Sequence, residues 1–239
     1  RPPTTTLFPY TTLFGSWPRS LDANQAAYRT MSAFYRLVLD ASNRDAADLV
    51  LVDVGPNLGA INRAALVACE HVVVPLAPDL FSLQGLRNLG PTLRDWRLHW
   101  KDRLDRRPQM QLELPPGTMR PAGYVVMQHA VRLDRPVKAY EKWMRRIPGE
   151  YQAFMLAEKA NVAYLPSSDV NCLAQLKHYR SLMPLAMEAR KPMFALTVAD
   201  GAIGAHQQAA VECGKDFMRL AKNILGAIGV KQTAQQALP

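Results

Sequence analysis

Apolar residues recur at three- and four-residue steps from residue 21 to residue 43, at Ala27, Met31, Phe34, Tyr35, Val38 and Leu39, which predicts an amphipathic helix with Asp22 as its N-cap. The pattern then changes. Residues 49–54 (LVLVDV) form a continuous apolar run broken by Gly55 and Pro56, the signature of a strand buried on both faces of a parallel sheet. A helix is predicted at 61–68, a second buried strand at 71–76 (HVVVPL), and a helix at 82–101. Residues 103–120 carry Pro108, Pro115, Pro116 and Gly117 and read as a loop. Further strands are expected at 123–127 (GYVVM), 162–165 and 193–196, and further helices at 137–146, 182–190 and 203–225. Strands alternating with helices predict a single α/β domain with a mostly parallel sheet flanked by helices. Residues 1–14 (RPPTTTLFPYTTLF) have neither period. Residues 1–16 are therefore expected to be a non-native or disordered segment, 17–230 the domain, and 231–239 a tail.

Composition narrows the class. In 239 residues, 49% are hydrophobic and 21% charged, and no uncharged apolar run is long enough to cross a membrane, so stable membrane insertion is not expected. The net charge of +9 favours polyanionic partners. It is concentrated: residues 87–107 hold seven basic and three acidic side chains, and residues 132–146 hold six and two. Solvated helix faces and a phosphate-tracking surface explain such clusters equally well, the second naming Arg103, Arg106, Arg107, Arg145 and Arg146 as DNA-binding candidates. Cys69, Cys172 and Cys213 have no C-x-x-C spacing, which argues against a zinc site or a disulfide framework and suits a reducing, cytoplasmic setting. The apolar stripe of residues 217–225 reads as core packing in preference to a membrane-surface helix.

The candidate chemistry lies after residue 54, because ligands of open α/β sheets sit beyond the carboxyl ends of the strands. Asp53 stands there. Four or five apolar residues followed by Asp form the Walker B pattern, whose carboxylate serves Mg²⁺ beside a nucleotide phosphate. The longer string 48–86 contains Asp53, a Pro-x-Leu-Gly turn at Pro56, Leu58 and Gly59, an Ala-Leu helix at 64–66, an apolar strand ending at Pro75, and a Phe-Ser-Leu-x-Gly-Leu start at 81–86. In that order these features resemble the ParA family, deviant-Walker P-loop ATPases related to MinD.

That resemblance implies a P-loop NTPase-like fold, binding of ATP and Mg, an ATP-bound homodimer, non-specific DNA binding and a ParB-like stimulating partner. It implies that Asp53 holds Mg²⁺ through water, that Gly55 and Pro56 form the γ-phosphate-sensing switch, and that Gln128 and Pro166 lie beside the nucleotide. Two departures stand out. No G-x-x-x-x-G-K-[ST] occurs in the sequence, so an N-terminally truncated ATPase domain, inactive as it stands, is expected. At residues 127–132 (MQHAVR), where the family carries Thr-Met-Tyr-Asp-x-Arg, Arg132 matches but Gln128, His129 and Ala130 do not. The alternative is a non-catalytic DNA-binding or adaptor protein that retains the fold without a P-loop.

Overall fold

The computed structural model describes residues 10–55, 57–129, 131–132, 135–136, 138–159 and 164–230. Their contacts divide the chain into two units, Arg1–Val72 with Leu89–Arg120, and Val73–Asn88 with Pro121–Pro239.

The first unit is helical. It contains α1 (Tyr10–Arg19), α2 (Gln25–Met31), α3 (Ala33–Arg44), α4 (Ala60–Ala68) and the later part of α5 (Leu80–Asp105). α1 begins inside the stretch read from sequence as lacking regular structure. The helix expected at 21–43 is two helices, separated at Ser32, which is buried with φ −86° and ψ −4°. Its N-cap is not Asp22 but Asn24, whose side chain accepts a 3.1 Å bond from the Ala27 amide. Asp22 instead ends a 3₁₀ turn, Ser20–Asp22, and Ala23 then takes a left-handed conformation that restarts the chain. Tyr28 on α2 is fully buried and donates to the Arg103 carbonyl.

Trp100 on α5 is the largest fully buried side chain, and its indole donates to the Pro115 carbonyl at 2.8 Å. Gly117 makes this closure possible: its φ is +66°, and a Cβ there would lie 2.1 Å from the Trp100 ring. Beyond it the amides of Gly117, Met119 and Arg120 donate to the carbonyls of Val67, Cys69 and Glu70. The expected loop is thereby laced onto the end of α4.

The second unit holds a three-stranded sheet in the order β1 (His71–Leu76), β2 (Arg120–His129), β5 (Cys172–Lys177), the first strand starting at the unit boundary. A short antiparallel pair, β3 (Val131–Arg132) and β4 (Arg135–Pro136), follows β2. β2 and β5 run parallel, with Tyr124 opposite Cys172 and Val126 opposite Gln175. Alternation along β2 sends successive side chains to opposite faces. Val125 packs with Leu173, Leu176, Phe217, Leu220 and Ile224, so α9 (Ala205–Ala227) covers that face. Tyr124 meets the Tyr151 ring at 5.0 Å on the other, where α6 (Lys138–Met144), α7 (Ile147–Glu150) and a π-helical turn (Tyr151–Leu156) follow one another. Gly123, at φ +144°, has no room for a Cβ, which would lie 2.7 Å from the Asn171 carbonyl. α8 (Leu182–Ala189) contributes to a second cluster with Tyr179, Leu196, Ala210 and Cys213. The stripe of α9 is core packing, as its spacing predicts. The parallel pair of strands in a helix-flanked sheet agrees with the expected P-loop NTPase-like α/β fold.

Three expected strands differ. Residues 49–54 form no strand, because no described residue pairs with their backbone, and Leu51 is 80% exposed. Residues 193–196 close as a 3₁₀ turn, Met193–Ala195. Of 162–165, the first two lie outside the described residues, and Tyr164 and Leu165 are irregular. β5 occupies a stretch for which the sequence pattern gave no element.

Candidate functional site

Within the first unit, residues 51–55 alternate: Leu51, Asp53 and Gly55 are exposed, Val52 and Val54 half-buried. Asp53 therefore projects outward, and its carboxylate makes no hydrogen bond or ion pair with any described residue. Its expected position at the end of a buried strand does not hold; it stands at the end of an irregular extended segment. Pro56 lies outside the described residues.

One side chain holds the turn that follows. Asn62, in the first turn of α4, donates through its amide nitrogen to the Gly55 and Asn57 carbonyls, both at 2.8 Å. Asn57 in turn accepts from the Gly59 amide at 3.0 Å, an Asx-type closure just before the helix. Ala60 and Ala65 bury the inner side of α4, so the clamp rests on a packed helix. Asn62 was not singled out from the sequence; the signal was an amide side chain one turn after a Pro-x-Leu-Gly turn, placed to reach back over it.

Gly55 has open space beside it. A Cβ there would meet only the Asn57 and Asn62 amide nitrogens, both at 3.9 Å, so packing within the chain does not demand glycine. An outward carboxylate beside an uncrowded backbone fits a hydrated Mg²⁺, which keeps several waters and needs only one or two protein carboxylates. Among the described residues no group of three or more His, Cys, Asp or Glu could hold a metal by itself. A phosphate chain is not fitted by this turn alone, since the sequence has no Gly-rich lysine loop to surround it.

The other expected nucleotide contacts lie in the second unit. The Gln128 side chain is outside the described residues. Pro166 is buried at the start of a 3₁₀ turn, Pro166–Ser168, and its carbonyl accepts from the Asp169 amide. That turn presents Asp169, 7% exposed, to the Tyr124 hydroxyl at 2.7 Å and to the Asn171 backbone and side-chain nitrogens at 3.1 Å. Burial, reinforced by the hydrogen bond to Asp169, raises the Tyr124 phenol far above its ordinary range, so it stays a donor. Pro166 here serves a buried structural network.

The five arginines divide by surroundings. Arg103 is not a surface residue: it is 3% exposed and donates to the Trp17 and His99 carbonyls and to the Ser20 hydroxyl. Burial lowers its pKa, and it takes no part in a solvent-facing surface. Arg106 pairs with Asp102 at 2.9 Å and stays exposed, and exposed Arg107 donates to the Leu104 carbonyl at 2.8 Å. In the second unit Arg145 pairs with Glu141 at 2.7 Å. Arg146 lies 3.3 Å from Glu150 and 5.3 Å from the Trp143 ring centroid. Arg87 holds Glu150 by two bonds, of 2.8 and 2.6 Å, and these keep the Glu150 carboxyl below its usual range. No described helix is long and apolar enough to cross a membrane.

Comparison with known proteins places the Asp53 turn inside a recognisable stretch. Residues 26–106 match the AAA_31 family, described as an AAA domain. Over 65 residues the chain is 37% identical to the chromosome-partitioning ATPase Soj of Thermus thermophilus, a match covering 27% of this chain and 26% of Soj. The matched part is thus about a quarter of that relative's length. The crystal structure of protein DIP2308 from Corynebacterium diphtheriae superposes with a TM-score of 0.57 at 19% identity, over 92% of this chain and 62% of that one. At that identity the likeness is one of fold.

Proposed function

We propose, on the premise of the ParA-family relationship that the AAA_31 and Soj matches support, that the Asp53 turn is the magnesium side of a nucleotide site. Family-level similarity supports a partitioning-ATPase-like role for the chain. The observation that carries the finer reading is the Asn62 clamp, which holds the Gly55 and Asn57 carbonyls while Asp53 stands outward and without a partner among the described residues. Bound Mg²⁺ would neutralise charge on the phosphate oxygens. Asp53 would hold one of its waters, and the Gly55 backbone, held by Asn62, would set the distance between the turn and the phosphate. ATP and Mg, an ATP-bound homodimer, non-specific DNA, a ParB-like partner and a cytoplasmic setting belong to this reading. Arg106, Arg107, Arg145 and Arg146 are its DNA-facing residues.

The second reading, a DNA-binding or adaptor protein without catalysis, is favoured by the absence of a phosphate-cradling motif from these 239 residues. One experiment separates them. Mn²⁺ with ATP, used as a paramagnetic probe, should broaden the amide signals of residues 53–55 and 57–59 in the wild type and leave them sharp in Asp53→Asn. Equal broadening in both removes Asp53 from cation binding. No broadening in either, with duplex DNA still bound, favours the adaptor.

A further inference from the structure

The connection between α5 and β2 carries an unpaired extended run. From Pro108 to Leu114 exposure alternates: Gln109, Gln111 and Glu113 are exposed, Pro108, Met110, Leu112 and Leu114 half-buried. That is the alternation of a strand with one face on a core. Yet no backbone amide or carbonyl of residues 109–114 bonds to another described residue. About 20 Å of chain stands ready for a ladder, alternate residues presenting their N–H and C=O groups to each edge. Pro108 before them and Pro115–Pro116 after them cannot donate, so the pairing length is fixed at both ends.

A cleft of about 430 Å³ lies between this run and the helices α2 and α3. Gln25, Arg29 and Arg36 line its helix side and residues 109–112 its other side. Arg29 and Arg36 are exposed, and neither forms an ion pair with a described residue. Arg36 donates one bond to the Arg29 carbonyl, at 3.0 Å, which aims its guanidinium across the end of α2. No carboxylate lines the cleft. An adjoining cavity along 104–111 adds Arg107 and Asp105, and Glu113 is exposed further along the run.

We propose that this cleft binds an acidic peptide in extended conformation, which adds to residues 109–114 as a strand and sets its carboxylates on Arg29 and Arg36. Strand addition supplies the missing backbone partners, and side-chain pockets on alternate positions supply the selectivity. Guanidinium forks match carboxylates two bonds at a time. The three glutamine amides, donor and acceptor both, suit peptide groups, while Met110 and Leu112 offer an apolar floor for alternate side chains. Single-stranded nucleic acid is disfavoured, because its bases need aromatic platforms and none of the lining residues is aromatic. A second copy pairing through its own residues 109–114 is disfavoured here, because that run carries a single carboxylate, Glu113, for two arginines.

The test is fluorescence anisotropy with a labelled eight-residue peptide alternating Glu and Val, beside its Lys-Val counterpart and an eight-nucleotide single strand. The Glu-Val peptide should bind at least tenfold more tightly than either. Arg29→Glu should weaken it at least tenfold, and it removes no hydrogen bond or ion pair of that side chain, so the fold is kept. Gln111→Pro, which deletes one donor within an already extended segment, should weaken it about fivefold with an unchanged circular dichroism spectrum. Equal affinity in wild type and Arg29→Glu overturns the proposal. Tighter binding of the oligonucleotide, lost in Arg29→Glu, overturns it in favour of nucleic acid.

Discussion

The Arg103 guanidinium lies 4.3 Å from the Trp17 ring centroid and, through Nε and one terminal nitrogen, donates to the same residue's carbonyl at 3.1 and 3.0 Å. Arg63 covers the ring at 4.2 Å, and Trp100 stacks at 6.0 Å. One residue of α1 thus collects two cations and the central tryptophan of its unit. Arg103→Ala should cost about 2–4 kcal/mol, since it strips donors from buried acceptors and opens a cavity. Urea unfolding checks this, with Arg103→Lys recovering part of the loss. A wild-type midpoint for Arg103→Ala would return the residue to the surface.

Asn62→Ala should release the Asp53 turn at small global cost. Its two bonds are exposed, so about 0.5–1.5 kcal/mol is at stake. The readout is local: hydrogen exchange of the Gly59 amide, which donates to the Asn57 side chain, should quicken while that of β2 stays unchanged. Unchanged exchange at Gly59 would mean the turn holds its shape without the clamp.

Acid should weaken the second unit in a definite order. Bonds from Arg87 hold Glu150 below its ordinary 4.5, so its contribution is full above that pH and fades as pH falls through the lowered value. Bonds from Lys191 and then from Thr197 bring Asp200 down from 3.8 to about 2, so its share survives longer. Stability measured by urea unfolding between pH 6 and pH 2 should fall below about pH 4.5. Arg87→Gln should flatten the upper part of that fall and leave the lower part. A profile identical in both proteins would show that the Arg87–Glu150 pair does not set it.

Duplex DNA, on the proposed reading, should bind without sequence preference and weaken steeply with salt. Reversing Arg106 and Arg107 to Glu, or separately Arg145 and Arg146, should lower both the affinity and the salt slope in filter-binding or anisotropy measurements. Arg103 is left out of both sets because of its burial. Affinity unchanged by both double variants would reduce these arginines to solvated helix faces.

The strands legible in the sequence were those whose apolar runs meet partners: HVVVPL and GYVVM pair in one sheet and are buried there. LVLVDV carries the same signal, but a run of apolar residues states only that a segment suits burial between neighbours, and among the described residues none is supplied. β5 (CLAQLK) went unread for the opposite reason. It lies at one end of the strand order and buries Leu173 and Leu176 while leaving Lys177 exposed, so its pattern is too mixed and too short to separate from a loop. At the candidate site Asp53 and its glycines were legible as a motif, whereas Asn62 acts through a reach that no periodicity encodes. Arg103 was misplaced because a charge count cannot tell a solvated arginine from one that an indole and three oxygen acceptors have taken inside.

Leu49, Val50 and Leu51 stand side by side in water, and this makes the handling of the protein a matter of temperature. Attraction between apolar side chains of different molecules weakens on cooling, because its source is the entropy of hydrating water. Concentrated solutions should therefore turn cloudy on a warm bench and clear again on ice. Excluded salts such as sulfate should lower the clouding point, and replacing Leu51 by a lysine should raise it.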